Sequence, residues 1–250
     1  MAGLLEGKTA LVTGARRGIG MAVTRCLASA GADIWACARK QDDAFEATLC
    51  EISDAYGIIA KPLYFDLDVH EEIKEACKTL IAQKKPIDVL VNNAGISMNA
   101  LLQMSSAEIL EKQLSSNFVG PMLLTQFVSK IMGKYGSGSI VNIASIAGLD
   151  GPMGRVGYGG SKAALICSTK VLSKELAGKS IRVNAIAPGI IKTEMLVGNM
   201  TEAIINETIQ NTCLQRIGNP EEIANIVLFL ASELASYVTG QVIRADGGKL

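Results

Sequence analysis

Short β-rich apolar runs alternate with longer amphipathic stretches along the 250 residues, and this alternation restricts the chain more than any other feature. Strands are expected at Thr9–Val12, Ile34–Cys37, Lys61–Phe65, Val89–Val91, Ile140–Ile143, Arg182–Ile186 and Val242–Ala245. Helical patterning lies between them, over 19–29, 42–55, 71–83, 107–131, 158–177 and 220–231. Strand followed by helix is the signature of βαβ units, and right-handed crossovers put helices on both faces of a parallel sheet. No repeat, low-complexity tract or linker divides the chain, so residues 1–250 are expected to form a single domain. The stretch 188–212 breaks the alternation and is expected to act as a lid over a substrate.

Composition narrows the function classes. A hydrophobic content of 49% with 25 glycines suits a buried parallel sheet. Lys+Arg and Asp+Glu stand at 24 each, so no overall field recruits nucleic acid or an anionic membrane. No apolar run reaches the roughly 18–20 residues that span a bilayer. Cys26, Cys37, Cys50, Cys77, Cys167 and Cys213 form no CxxC pair, and most are expected to be small core residues. Scattered thiols and no recognisable leader point to the cytoplasm. The only histidine, His70, reads as a solvated helix start, which disfavours multi-histidine metal sites and a Ser-His-Asp triad; no metal is expected. Acid–base work near neutral pH then falls to a perturbed Tyr, Lys, Asp or Glu.

The first strand, "KTALVTG", runs into Gly14-Ala15-Arg16-Arg17-Gly18-Ile19-Gly20 and then into the helical "MAVTRCLASAG". Glycines allow a tight turn and close approach of backbone to a pyrophosphate seated at a helix N-terminus. All seven turn residues are therefore candidate dinucleotide contacts. The fold expected is α/β: a Rossmann-type, doubly wound, mostly parallel seven-stranded sheet with helices on both faces. The spacing, TGxxxGIG over Thr13–Gly20, resembles the fingerprint of the short-chain dehydrogenase/reductase family. The resemblance runs from "KTALVTG" to the terminal "VTGQVIRADGG".

Cofactor choice is read at the end of the second strand, "WACARK". Proteins that bind NAD place Asp or Glu there to hold the ribose 2′-hydroxyl. This chain has Ala38, with Arg39 after it and Arg17 in the glycine turn, an arrangement that would attract a 2′-phosphate. NADP(H) is the expected cofactor. The resemblance implies that Asp66 contacts adenine, with the Leu67 amide beside it. "VNNAG" closes the fourth strand, so Asn93, Ala94 and Gly95 should line the ribose at the sheet's carboxyl edge.

Tyr158-Gly159-Gly160-Ser161-Lys162 opens a long helical segment, so Tyr158 and Lys162 share a helix face. A nearby ammonium, with the positive nicotinamide, should lower the pKa of the phenol from about 10 and fit it for proton donation to a ketone. Lys162 should also hold the nicotinamide ribose. Ser145, at the end of the fifth strand, can donate to the substrate carbonyl, and its distance from Tyr158 matches the family's Ser–Tyr spacing. Asn117, in "LSSNFVG", matches the family asparagine that interrupts a helix and holds a water leading to the lysine. After the sixth strand, Pro188-Gly189 turns the chain, and Ile191 and Thr193 resemble positions that close over the nicotinamide.

Within the family the chain resembles bacterial 3-oxoacyl-[acyl-carrier-protein] reductases in "TGARRGIG", "NNAGIS", "GYGGSKAAL" and "FLASELASYVTGQVIRADGG". That likeness implies a 3-oxoacyl thioester substrate, an acyl carrier protein as partner and a homotetramer. Lys134, Arg155, Lys174 and Lys179 are candidates for a basic patch that would receive the acidic carrier at the entrance. Another small-molecule ketone (a sugar, sterol, quinone or diketone) stays open as substrate. So do a catalytically silent NADP(H)-binding sensor and a lyase or epimerase that uses the same tyrosine.

Overall fold

The computed structural model describes residues 3–194 and 202–249. Seven strands form one parallel sheet: β1 (Thr9–Thr13), β2 (Asp33–Ala38), β3 (Ala60–Tyr64), β4 (Val89–Asn92), β5 (Gly138–Ile143), β6 (Ile181–Pro188) and β7 (Val242–Ala245). Their order is β3-β2-β1-β4-β5-β6-β7, so the winding reverses between β1 and β4 and a crevice opens at their carboxyl ends. All seven predicted strands are present, and the fold is the doubly wound one expected. Pro62 lies in β3, at the sheet's edge, where its missing N–H costs no ladder bond.

The strands' period of two divides the core. Ala10 and Val12 pack with α1 (Gly18–Ser29), α2 (Asp43–Tyr56) and α9 (Pro220–Ala231) through Leu27, Leu49 and Val227. Leu11, between them, packs on the other face with α3 (His70–Ala82) and α5 (Gly120–Tyr135) through Ile73, Leu80, Leu124 and Val128. Local chemistry fixes the helix ends. The Asp42 side chain accepts the Phe45 N–H at 3.0 Å to start α2, and Gly57, at φ 66°, stops it. His70 begins α3 and is exposed, as expected.

Two expectations need correction, and one short helix left no pattern in the sequence. The single helix over 107–131 is two, α4 (Ala107–Leu114) and α5, separated by a π-helical turn at Ser115–Val119. Short α6 (Ala147–Asp150) precedes α7 (Val156–Glu175) and gave no periodic signal because it is one turn long. The cysteines are not mostly core: Cys37 and Cys77 are buried, Cys26 is intermediate, and Cys50, Cys167 and Cys213 are exposed. Of the expected lid, 195–201 lie outside the described residues, and Glu202–Gln210 forms α8. Among the described residues no helix is long and apolar enough to cross a membrane.

Candidate active site

Two glycines of the turn after β1 take left-handed backbone, Gly14 at φ 64° and Gly18 at φ 55°. A Cβ on Gly20 would fall 2.0 Å from the Gly14 carbonyl oxygen, so α1 can approach the turn only without a side chain there. Ala15 is fully buried, with its N–H on the Cys37 carbonyl at 3.0 Å, and Arg16 pairs with Asp42 at 3.1 Å. Ala15, Arg16 and Gly20 therefore build the turn and do not line the cleft, unlike the other four. Thr13 stitches the crevice together. Its hydroxyl donates to the Val91 carbonyl at 3.2 Å and accepts the N–H groups of Asn93 and Ala94 at 2.9 and 3.0 Å. The Asn93 amide returns a bond to the Thr13 carbonyl at 2.9 Å.

A cleft of about 850 Å³ follows the carboxyl ends of the strands. At the β2 and β3 end it is lined by Ala38, Arg39, Asp66 and Leu67, and beside them by Arg17, Gly18 and Ile19. Arg17 is ion-paired with Glu194, while Arg39 is exposed and has no ion pair among the described residues. Asn93, Ala94 and Gly95 line its centre, and Pro188, Gly189, Ile191 and Thr193 its far side. Thr193 reaches across to the turn, 3.3 Å from where a Gly18 Cβ would lie. The open N-terminus of α1, glycine backbone free of side chains and an extended groove fit a dinucleotide. No group of three His, Cys, Asp or Glu that could hold a metal lies among the described residues.

Ser145, Tyr158 and Lys162 meet in the same cleft. The Ser145 hydroxyl accepts the Ala147 N–H at 3.1 Å and lies near enough to the phenol of Tyr158 to favour its ionised form. Lys162 is buried and donates to the Ile143 carbonyl at 2.7 Å; its Nζ lies 5.9 Å from the Tyr158 ring centre. Asn117, in the π turn, is fully buried behind them and does not line the cleft itself. Its Oδ1 accepts the Ile96 N–H at 2.8 Å, and its Nδ2 donates to the Ile96 carbonyl and the Ser161 hydroxyl, both at 2.9 Å. A Cβ on Gly95 would sit 2.9 Å from Asn117 Oδ1 and 3.5 Å from Lys162 Nζ, so glycine lets these groups face one another.

Burial dominates the electrostatics of the phenol and the amine. Burial raises the Tyr158 pKa above its usual 10, and the groups that pull it back are the Ser145 hydroxyl and the Arg155 guanidinium. Burial also lowers Lys162 from 10.5 to about 8. Burial therefore outweighs the groups that favour the phenolate.

The expected basic entrance is also corrected. Lys134 ends α5 just before β5, Lys174 lies in the last turn of α7, and Lys179 stands just before β6. All three are at the strands' amino ends, away from the cleft, and only Arg155 lines it. Sequence reasoning passed over two residues that hold the site. Thr13 was visible as the first letter of the glycine fingerprint, and Ser161 stood inside the Tyr158–Lys162 segment.

Known proteins place this geometry in context. Residues 14–249 match the family model described as "Enoyl-(Acyl carrier protein) reductase". The chain is 43% identical over 244 residues to a 3-oxoacyl-[acyl-carrier-protein] reductase of Aquifex aeolicus, covering 98% of each. It is 42% identical over 246 residues to the Thermotoga maritima reductase of the same name, again covering 98% of each. A solved 7α-hydroxysteroid dehydrogenase, in complex with NADH and 7-oxoglycochenodeoxycholic acid, superposes with a TM-score of 0.94 at 33% identity over 100% of this chain and 97% of that one. With this sheet order and the Ser145, Tyr158 and Lys162 side chains in one cleft, the chain belongs to the short-chain dehydrogenase/reductase family and is an oxidoreductase acting on CH–OH or C=O groups.

Proposed function

We propose that this protein uses NADPH to reduce a ketone to a secondary alcohol, with a 3-oxoacyl thioester as the favoured substrate. The observation that carries the reading is the meeting of Ser145, Tyr158 and Lys162 at one cleft wall, which presents two hydroxyls to one carbonyl oxygen. A nicotinamide bound along the strand ends supplies the hydride. Ser145 donates to the substrate oxygen and stabilises its developing charge. Tyr158, whose raised pKa keeps its proton in place at neutral pH, gives that proton to the oxygen. Lys162 holds the nicotinamide ribose and, facing Asn117 across Gly95, resupplies the phenol by way of water.

The NADPH preference rests on the end of β2, which carries Ala38 and Arg39 and no carboxylate, with Arg17 in the glycine turn beside it. The thioester follows from the names of the Aquifex and Thermotoga relatives. With it come the acyl carrier protein as substrate donor, a homotetramer and a cytoplasmic setting. The test is NADPH oxidation with acetoacetyl-CoA against a panel of sugar, sterol, quinone and diketone substrates. Acetoacetyl-CoA should give the highest kcat/KM. A clear preference for another ketone would overturn the thioester assignment, and equal use of NADH the cofactor assignment.

A further inference from the structure

Arg155 occupies a position that helix physics disfavours. It is the N-cap residue of α7, where the positive end of the helix dipole repels a cation, and its side chain makes no cap hydrogen bond. Its guanidinium carbon lies 5.6 Å from the Tyr158 ring centre, on the cleft wall. Nη1 donates to the Ser97 hydroxyl at 3.1 Å, and among the described residues no carboxylate pairs with it. Arg17 and Arg39, the other arginines of the cleft, belong to the glycine turn and the end of β2. At the chemical end, then, stands a half-buried cation with unspent donors, held by a neutral hydroxyl and close to the ring of the proposed proton donor.

We propose that Arg155 is a specificity-determining residue that binds the second oxygen of a 1,3-dicarbonyl substrate while the ketone oxygen sits between Ser145 and Tyr158. In such a substrate the two carbonyl carbons flank a single methylene, so both oxygens can lie on one side of the molecule. One reaches the paired hydroxyls and the other the neighbouring guanidinium, whose planar fork favours an acceptor oxygen. The proposal rests on the ketone-reductase reading and goes beyond it by naming what the substrate must carry next to its ketone. An ester or thioester carbonyl and a free carboxylate share this chemistry.

The test compares ethyl acetoacetate, acetoacetate and methyl butyl ketone, with NADPH, on the full-length protein and on Arg155→Gln and Arg155→Lys. Arg155 also lowers the phenol's pKa, so Arg155→Gln should slow every ketone and move the pH profile upward. The lost charged hydrogen bond should in addition cut the ester-to-monoketone ratio of kcat/KM by about 10- to 100-fold, mainly through KM. Arg155→Lys should restore part of that ratio. A larger loss for acetoacetate than for the ester would identify the carboxylate as the preferred second oxygen. Equal losses on the ester, the acid and the monoketone would overturn the proposal and leave Arg155 acting through the phenol alone. Wild-type protein that reduces none of the three would overturn the ketone-reductase reading and the proposal with it.

Discussion

The Asn117 side chain grips both polar atoms of the Ile96 backbone, accepting its N–H at 2.8 Å and donating to its carbonyl at 2.9 Å. A regular helix would not turn this residue inward. The π turn at Ser115–Val119 adds the residue that does, and Ser161 fixes the amide from the other side. Asn117→Ala strips partners from two part-buried backbone groups and a buried hydroxyl. It should lower stability by about 1–3 kcal/mol per orphaned group at most, and lower kcat as well. Urea melts and steady-state kinetics on the same preparation check both. Full stability with unchanged kcat would remove Asn117 from the site's framework.

Tyr158→Phe deletes the proposed proton donor and little else. Loss of a general acid typically costs about 100- to 10,000-fold in rate, so kcat should fall by that much while NADPH affinity changes little. Fluorescence titration with NADPH and a stopped-flow assay separate the effects.

Lys162 links stability to pH. Its pKa drops from 10.5 in the unfolded chain to about 8 in the fold, so the unfolded state holds the extra proton between those values. Stability therefore rises with pH across that window, and below about pH 8 the buried ammonium costs the fold about 3 kcal/mol. Lys162→Met should be more stable than wild type at pH 7, and its advantage should shrink toward pH 10. Denaturant titrations at both pH values report the difference; an advantage independent of pH would contradict the buried charge.

Ala38→Asp places a carboxylate at the end of β2, on the cleft beside Arg39. Repulsion of a 2′-phosphate should lower the NADPH-to-NADH ratio of kcat/KM by about 10- to 100-fold, equivalent to about 1.5–3 kcal/mol. An unchanged ratio would detach cofactor choice from this strand end.

Gly20→Ala tests the turn itself. The added methyl would meet the Gly14 carbonyl oxygen at 2.0 Å and the Asn93 amide at 2.6 Å, so the helix must back away. Overpacking of this kind costs about 1–3 kcal/mol and should weaken NADPH binding more than it lowers the melting temperature would suggest. Thermal melts with and without NADPH measure the two.

Much of this was legible in the sequence because the relevant physics is local. Strand runs such as "TALVT" and "SIVNI" carry their own β-branched pattern, and the Gly14–Gly20 spacing encodes backbone shape directly. The adjacency of Ser145, Tyr158 and Lys162 was legible through motif spacing. What escaped depends on three-dimensional surroundings. Burial decides the charge balance of Tyr158 and Lys162, and no residue pattern reports how deeply a side chain sinks. Nor does a list of lysines say which end of the sheet they reach, which is why Lys134, Lys174 and Lys179 were assigned to an entrance they do not face.

Thr13 and Asn93 are joined across 80 positions of sequence. Until β4 has been made and laid against β1, the glycine loop has no opposite wall, and a growing polypeptide that stops short of Asn92 holds half a crevice. Such long-range closure is slow and comes late. A nucleotide can therefore capture only chains whose central strands are already docked, and by mass action it should draw partly assembled molecules toward the finished sheet.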